Sequence, residues 1–303
     1  MKIEVLGLGA VAVDEILHVD HYPAADAKAQ VRRRERRCGG LAATALVAAA
    51  RLGCRCAYAG VLGTDDTSTF AARCLEQEGI DLSQAPRRAE AQIIRSAIVA
   101  DLGAGTRNIF FDLNSVVGAG DNWPPEELIR DTRVLLVDFI GMAGMIRAAR
   151  IARAAGVPVV ADLEDDSAPG FAELLGLVDH LVLSHEFALR YTDESEPARA
   201  AQKLWQPDRA LVAITCGAAG CWVVTGGQPV HHPAFAVETV DTTGCGDVFH
   251  GAYAAGLAQG LGLNACLRLA SATAALKASR RGGQETIPKR AEVERFIKER
   301  SAA

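Results

Sequence analysis

Asp241-Thr242-Thr243-Gly244-Cys245-Gly246-Asp247-Val248-Phe249-His250-Gly251 is the stretch from which the fold can be worked out. Two glycines bracket one small residue and an aspartate follows at once. An apolar helical pattern then runs from Val248 to about Gln259. Glycines at these places let backbone N–H groups converge into a concave anion site. The start of a helix adds about half a positive charge there. An anion at Gly244, Cys245 and Gly246 meets several donors, with the Asp247 carboxylate beside it. A plainer role for Asp247 is to cap the helix.

Outward from this point the chain alternates. Short apolar runs stand at Ile3–Gly9, Ala57–Leu62, Val134–Phe139, Pro158–Asp162, His180–Ser184, Ala210–Thr215 and Gly220–Thr225. They are rich in Val, Leu and Ile and mostly do not alternate with polar residues, as strands buried on both faces read. Helical patterns lie between them. Ala42–Leu52 stops at Gly53, and Gly144–Ala155 stops at Gly156 with Pro158 beyond. Asn264 is placed to cap a helix running to about Ala278, and Pro288 precedes a final charged helix. Strand and helix in alternation predict an α/β fold with a doubly wound, mainly parallel sheet flanked by helices.

Asp14–Arg37 and Gln92–Asp112 differ. Ile93–Asp101 and Thr106–Phe111 alternate apolar with polar, and Gly103-Ala104-Gly105 between them suits a hairpin turn. Both stretches are expected to be antiparallel strands outside the main sheet, forming a small β lid over a site. The expected division is therefore a core of residues 1–13, 38–91 and 113–303, and a lid of residues 14–37 and 92–112.

The composition removes several function classes. Half of the 303 residues are hydrophobic but only 5% are aromatic, so the core is built from Ala, Val and Leu. A net charge of -5 gives no overall attraction for nucleic acid or an anionic membrane. There is no apolar run of about 18 residues, hence no expected membrane span. Eight cysteines without a Cys-x-x-Cys argue for reduced, buried thiols in a cytoplasmic protein rather than a zinc site or disulfide framework. No Gly-x-x-x-x-Gly-Lys-Ser/Thr is present, which removes a P-loop phosphotransferase.

The string at 241–251 resembles the C-terminal signature of the ribokinase-like, or phosphofructokinase-B, carbohydrate kinases, with Cys245 where Ala is usual. Gly39-Gly40-Leu41-Ala42-Ala43-Thr44-Ala45, followed by Ala48–Gly53, resembles that family's other signature. Val61-Leu62-Gly63-Thr64-Asp65 matches its next segment, and Thr215-Cys216-Gly217-Ala218-Ala219-Gly220 resembles its nucleotide-binding turn. The likeness runs from about Val5 to Pro288 in the family's order. It implies transfer of phosphate from ATP, with Mg²⁺, to a hydroxyl of a sugar, in particular a primary hydroxyl of a keto-sugar or related compound.

The same likeness assigns roles. Asp247 is expected as the general base, and Gly244, Cys245 and Gly246 as the anion hole for the moving phosphoryl group. Asp14, Lys28, Gly39, Gly40 and Thr44 are expected at the sugar, with Gly39 and Gly40 also hinging the lid. Thr215, Gly217, Gly220 and Gly283 are expected to border ATP. Asp241 and Thr243 resemble ligands of a monovalent cation such as K⁺, with Gly282-Gly283 contributing from another loop. A homodimer clasped through the lids is also implied.

The chain departs from the family in places. Thr44 stands where many members have Asn. Ser184-His185-Glu186-Phe187-Ala188 lacks the Asn-x-x-Glu that helps organise Mg²⁺, as ketohexokinase-like members also do. Gly40–Gly53, Asp241–Ala252 and Ala274–Pro288 resemble the sulfofructose-kinase-like subgroup. Phe111 and Ile140, however, occupy places where that group holds a sulfonate with polar residues.

Other signals have plainer readings. Gly7-Leu8-Gly9-Ala10-Val11-Ala12 matches a dinucleotide fingerprint, but Val11–Val19 continues as strand rather than helix. Its glycines are expected to let the strand bend. The basic run Arg32–Arg37 reads as a solvated face, with an anionic substrate group as the sharper alternative. His231-His232 reads as a surface pair, because neighbours in a strand point to opposite sides. Two other functions remain open at this level. One is a nucleoside kinase using Tyr22, Phe110 and Phe111, and the other a non-catalytic sugar-binding regulator.

Overall fold

The computed structural model describes residues 2–301. In chain order the strands are β1 (Val5–Gly7), β2 (Ala12–Val19), β3 (Arg33–Gly39), β4 (Cys56–Tyr58), β5 (Leu62–Gly63), β6 (Arg87–Arg88), β7 (Ile94–Asp101) and β8 (Thr106–Asp112). After them come β9 (Val134–Val137), β10 (Val159–Asp162), β11 (His180–Ser184), β12 (Leu211–Thr215), β13 (Cys221–Val224) and β14 (Val230–His232). The helices are α1 (Leu41–Arg51), α2 (Asp66–Gln77), α3 (Glu126–Arg130), α4 (Met142–Ala154), α5 (Phe171–Leu177), α6 (His185–Thr192), α7 (Pro197–Leu204), α8 (Cys245–Ala258), α9 (Leu263–Ala278) and α10 (Arg290–Ser301).

The main sheet runs β14-β13-β12-β11-β10-β9-β1-β4. Its first six strands in the chain pair in parallel, and only β13 and β14 are antiparallel. The apolar runs explain this position. In β9, Val134 and Leu136 enter one core with α1, α8 and α9, whereas Leu135 and Val137 enter the other with α4, α5 and α7. A strand covered on both faces needs apolar residues at every position. The carboxyl ends of the parallel strands therefore share one edge. The chain order reverses between β1 and β9, which is where such sheets place their ligands.

Gln92–Asp112 and the strands after Gly9 form a second sheet in the order β3-β2-β7-β8. The two outer pairings are antiparallel as expected, but β2 and β7 pair in parallel. Alternation within one strand carries no record of the direction of its partner. The β7–β8 hairpin closes where the glycines stand, and Asp101 Oδ1 accepts from the N–H groups of Gly103 (2.9 Å) and Ala104 (2.8 Å).

Local differences have simple causes. Gly262, not Asn264, occupies the N-cap of α9, so Asn264 lies inside the first turn. His231 and His232 belong to β14. The run Ala57–Leu62 divides into β4 and β5, which enter different sheets. Among the described residues no helix is long and apolar enough to cross a membrane.

Candidate active site

The turn into α8 carries the decisive string. Gly244 is its N-cap with φ of 72°, a left-handed conformation that costs glycine nothing. Cys245, Gly246 and Asp247 make the first turn, so Asp247 is the third helical residue and does not cap the helix. One of the three positions expected to form an anion hole has its N–H already engaged. Cys245 N–H donates to Thr242 O at 3.1 Å, whereas among the described residues the N–H groups of Gly244, Gly246 and Asp247 have no backbone carbonyl partner. These N–H groups belong to the start of a helix, where the backbone leaves donors unpaired and favours an anion. Burial raises the Cys245 thiol to about 11, so it remains protonated at neutral pH.

Several distant residues meet at this turn. A Cβ on Gly244 would lie 3.5 Å from Thr44 Cγ2 and 3.9 Å from Asp247 Oδ2. Thr44, buried on α1, accepts from Gln284 Nε2 at 3.1 Å. Gly40 starts that helix with φ of 96°, and a side chain there would strike the Ala10 carbonyl oxygen at 2.6 Å. Close passage of the β1–β2 connection across Gly40 therefore needs glycine. A Cβ on Gly39 would stand 3.3 Å from Asp14 Oδ2. Burial raises the Asp14 carboxyl, against a hydrogen bond from Ser96 and the charges of Arg37 and Arg107. Lys28 is exposed on the β2–β3 connection, and among the described residues no hydrogen bond or ion pair ties it to this group.

Acidic residues line the sheet edge below. Asp138 follows β9 and is buried, accepting from Ala10 N at 2.6 Å and Ile140 N at 2.8 Å. Two such bonds favour the anion, but burial outweighs them and pushes the carboxyl up to about 7. A Cβ on Gly9 would overlap Asp138 Oδ2, so the fingerprint-like glycine makes room for this carboxylate. Asp162 ends β10, and among the described residues its buried Oδ2 has no hydrogen-bond partner. His250 Nδ1 lies 3.1 Å from that oxygen and 2.8 Å from Gly246 O, and its Nε2 lies 2.9 Å from Val182 O. The ring thus sits between the first turn of α8 and the carboxyl ends of β10 and β11.

The carboxylates act on one another. Burial raises Asp247 well above the ordinary carboxylate range, and Asp162 and Glu164 push the same way against His250. Burial likewise raises Glu164, with Glu186 adding repulsion. Among the described residues no three His, Cys, Asp or Glu side chains converge to cage a metal directly. This set of hard oxygens suits a divalent ion that keeps its waters. Ala188 is fully buried in the core and offers nothing to a metal. Sequence reasoning misses Asp138, Asp162, Glu164 and His250. Acids directly after the runs at Val134 and Val159 are the available signal, given that ligands bind at strand carboxyl ends.

The turn after β12 is made by Gly217 and Gly220, with φ of 56° and 89°. Thr215 Oγ1 donates to Leu183 O at 3.2 Å, joining β12 to β11 at the same sheet edge. Asp241 Oδ1 accepts from Thr243 N at 3.0 Å and Oδ2 from Gly282 N at 3.2 Å. Thr243 Oγ1 accepts from Arg107 Nη1 at 2.6 Å. A Cβ on Gly283 would lie 3.5 Å from Arg37 Cδ. Thus the 241–243 and 282–283 loops do meet. Their side-chain oxygens, however, already serve N–H donors and an arginine, which is a poor fit to a potassium ion. The basic run lies on β3, where Arg33 and Arg37 pair with Glu35, and Arg36 pairs with Glu15 at 2.8 Å.

Known proteins place this arrangement. The chain is 31% identical to the ATP-dependent ribose-1-phosphate kinase of Halopiger xanaduensis, covering 98% of this chain and 99% of the relative. It is 26% identical to ribokinase of Haemophilus influenzae, over 96% and 97% of the two chains. The structure of ribokinase from Thermotoga maritima superimposes with a TM-score of 0.85 at 25% identity, covering 98% of this chain and 100% of that one. Residues 3–290 match the model of the pfkB family carbohydrate kinases. The match takes in both glycine-rich signatures and the strands between them, and by it the chain belongs to the pfkB family of ATP-dependent carbohydrate kinases.

Proposed function

We propose that the protein transfers the γ-phosphoryl group of ATP to a hydroxyl of a sugar, with a primary hydroxyl of a keto-sugar or related compound as the preferred acceptor. The observation that carries this is the placement of Asp247 in the first turn of α8, beside Thr44 and three N–H groups that no backbone carbonyl takes. A raised carboxyl there suits a base that must both take and release a proton. Asp247 takes the proton of the attacking hydroxyl. The N–H groups of Gly244, Gly246 and Asp247 stabilise charge on the transferred group. Asp14, Gly39 and Thr44 orient the sugar, and the Thr215–Gly220 turn with Gly283 borders the nucleotide.

Mg²⁺ bound with ATP would neutralise phosphate charge. Asp162, Glu164 and Glu186 are the carboxylates that would hold its water shell. The small sheet acts as a lid that excludes water from the transfer. Its edge strand β8 exposes Ile109, Phe110 and Phe111, which supports a homodimer formed through the lids.

A second reading concerns substrate charge. Arg37 and Arg107 both bear on Asp14, and Arg107 reaches the 241–243 loop. Two guanidinium groups there favour an anionic sugar, such as a sugar phosphate or sugar acid. A nucleoside is less well served, because Tyr22, Phe110 and Phe111 are all largely exposed and form no closed aromatic slot. ADP release measured over a panel of neutral sugars, sugar phosphates, sugar acids and nucleosides tests these readings. Turnover with a sugar is expected. Turnover with nucleosides alone, or binding of sugars without ADP release, would overturn the reading.

A further inference from the structure

The end of α9 holds a positive charge that phosphoryl transfer, as derived above, does not use. Lys277 lies in the last turn of that helix and is 1% exposed. Its Nζ is buried and, among the described residues, has no hydrogen-bond partner. An ammonium has three donors and strong hydration, so burying one unpaired is costly unless a negative group stands near. Two are present. One is the carboxyl end of α9 itself, where the helix dipole favours a cation. The other is Asp241.

The loop carrying Asp241 is tied to that helix turn. Val240 N and Asp241 N both donate to Ala278 O, at 2.8 and 3.0 Å. Asp241 Oδ1 accepts from Thr243 N at 3.0 Å and its Oδ2 from Gly282 N at 3.2 Å, so the carboxylate spans the 241–243 and 282–283 loops. The Lys277 ammonium is therefore buried in the helix turn from which the Asp241 loop hangs.

We propose that Lys277 is the resident cation of this site, supplying from within the fold the charge that a bound monovalent ion would supply, so that turnover needs no potassium. The ammonium balances Asp241 and keeps the 241–243 loop in place under α8. It is a positioning residue, since it acts through the loop and not on the substrate. This inference rests on the kinase reading given above.

The test compares the wild type with Lys277→Met and Lys277→Arg. Turnover and melting temperature are measured with tetramethylammonium as the sole monovalent cation and then with added K⁺. Wild-type turnover and melting are expected to ignore K⁺. Lys277→Met should lose about 10² in kcat with little change in KM for ATP, the scale of removing one preorganised electrostatic group. K⁺ should restore part of its turnover and raise its melting temperature, and Lys277→Arg should retain K⁺ independence. A merely structural lysine would show no such rescue, and that result would overturn the proposal. So would a wild type whose turnover or melting rises saturably with K⁺, a readout that stands even if Lys277→Met does not fold. Absence of ADP release with every sugar would count against the kinase reading alone, because the melting comparison still reports on the cation.

Discussion

Arg107, on the outer strand of the small sheet, donates to the Thr243 hydroxyl at 2.6 Å and so joins that sheet to the loop that leads into α8. The two residues are 136 positions apart in the chain. Arg107→Ala should raise KM for the sugar by about tenfold, the scale of one charge-assisted hydrogen bond, with a smaller change in KM for ATP. Steady-state kinetics with each substrate varied provides the check. An equal rise in both constants would argue against a link specific to the sugar side.

Asp247→Asn keeps the size of the side chain and the Gly244 turn but removes the carboxylate proposed as the base. The expected loss in kcat is about 10² or more, with ATP binding unchanged. Since burial and the neighbouring acids raise the carboxyl, wild-type kcat/KM should climb with pH through that raised value, and the Asn variant should lose this limb. A variant with near wild-type turnover would remove Asp247 from the base role.

The Cys245 thiol makes only a weak contact, 3.8 Å to Asp241 O, and burial keeps it protonated. Cys245→Ala should therefore change kcat by no more than about twofold, the scale of a 0.5 kcal/mol effect. A bulky residue at 245 should be harmful because it crowds the helix start. Loss of activity in the Ala variant would give the thiol a role.

The clustered acids make stability depend on pH in a stated direction. Asp162, Glu164 and Asp247 have folded values above their unfolded ones, so the folded protein holds more protons in that window. Their contribution is present below the unfolded carboxylate value of about 4 and is lost as pH rises through the raised values. Asp162→Asn should flatten this decline in melting temperature. Mg²⁺ with ADP should stabilise more at alkaline than at mildly acidic pH, because it neutralises acids that are then ionised. Equal stabilisation at both would count against these acids as the metal's holders.

The exposed face of β8 predicts assembly. Light scattering at micromolar concentration should give twice the 31.9 kDa chain mass, and Phe111→Glu should shift it toward one chain. Added sugar should slow hydrogen exchange in residues 92–112 if the sheet closes as a lid. A wild-type species at one chain mass would rule out the dimer, and unchanged exchange would rule out the lid.

Much of this molecule is determined by local sequence. Uninterrupted apolar runs such as Val134–Val137 specify strands covered on both faces, because every side chain must leave water. Gly244 and Gly40 mark turns that only glycine enters cheaply, so local pattern suffices to place Asp247 at a helix start. What tertiary structure alone decided is which distant groups meet. The parallel pairing of β2 with β7 follows from the path of the chain and not from the alternation in either strand. Asp162 and His250, far apart in the chain, become neighbours only when α8 packs over β10. Lys277 reads in sequence as an ordinary lysine in the last turn of a helix. Its burial in the turn that holds the Asp241 loop depends on α9 packing against α8, and no local pattern records that a charge has been removed from water.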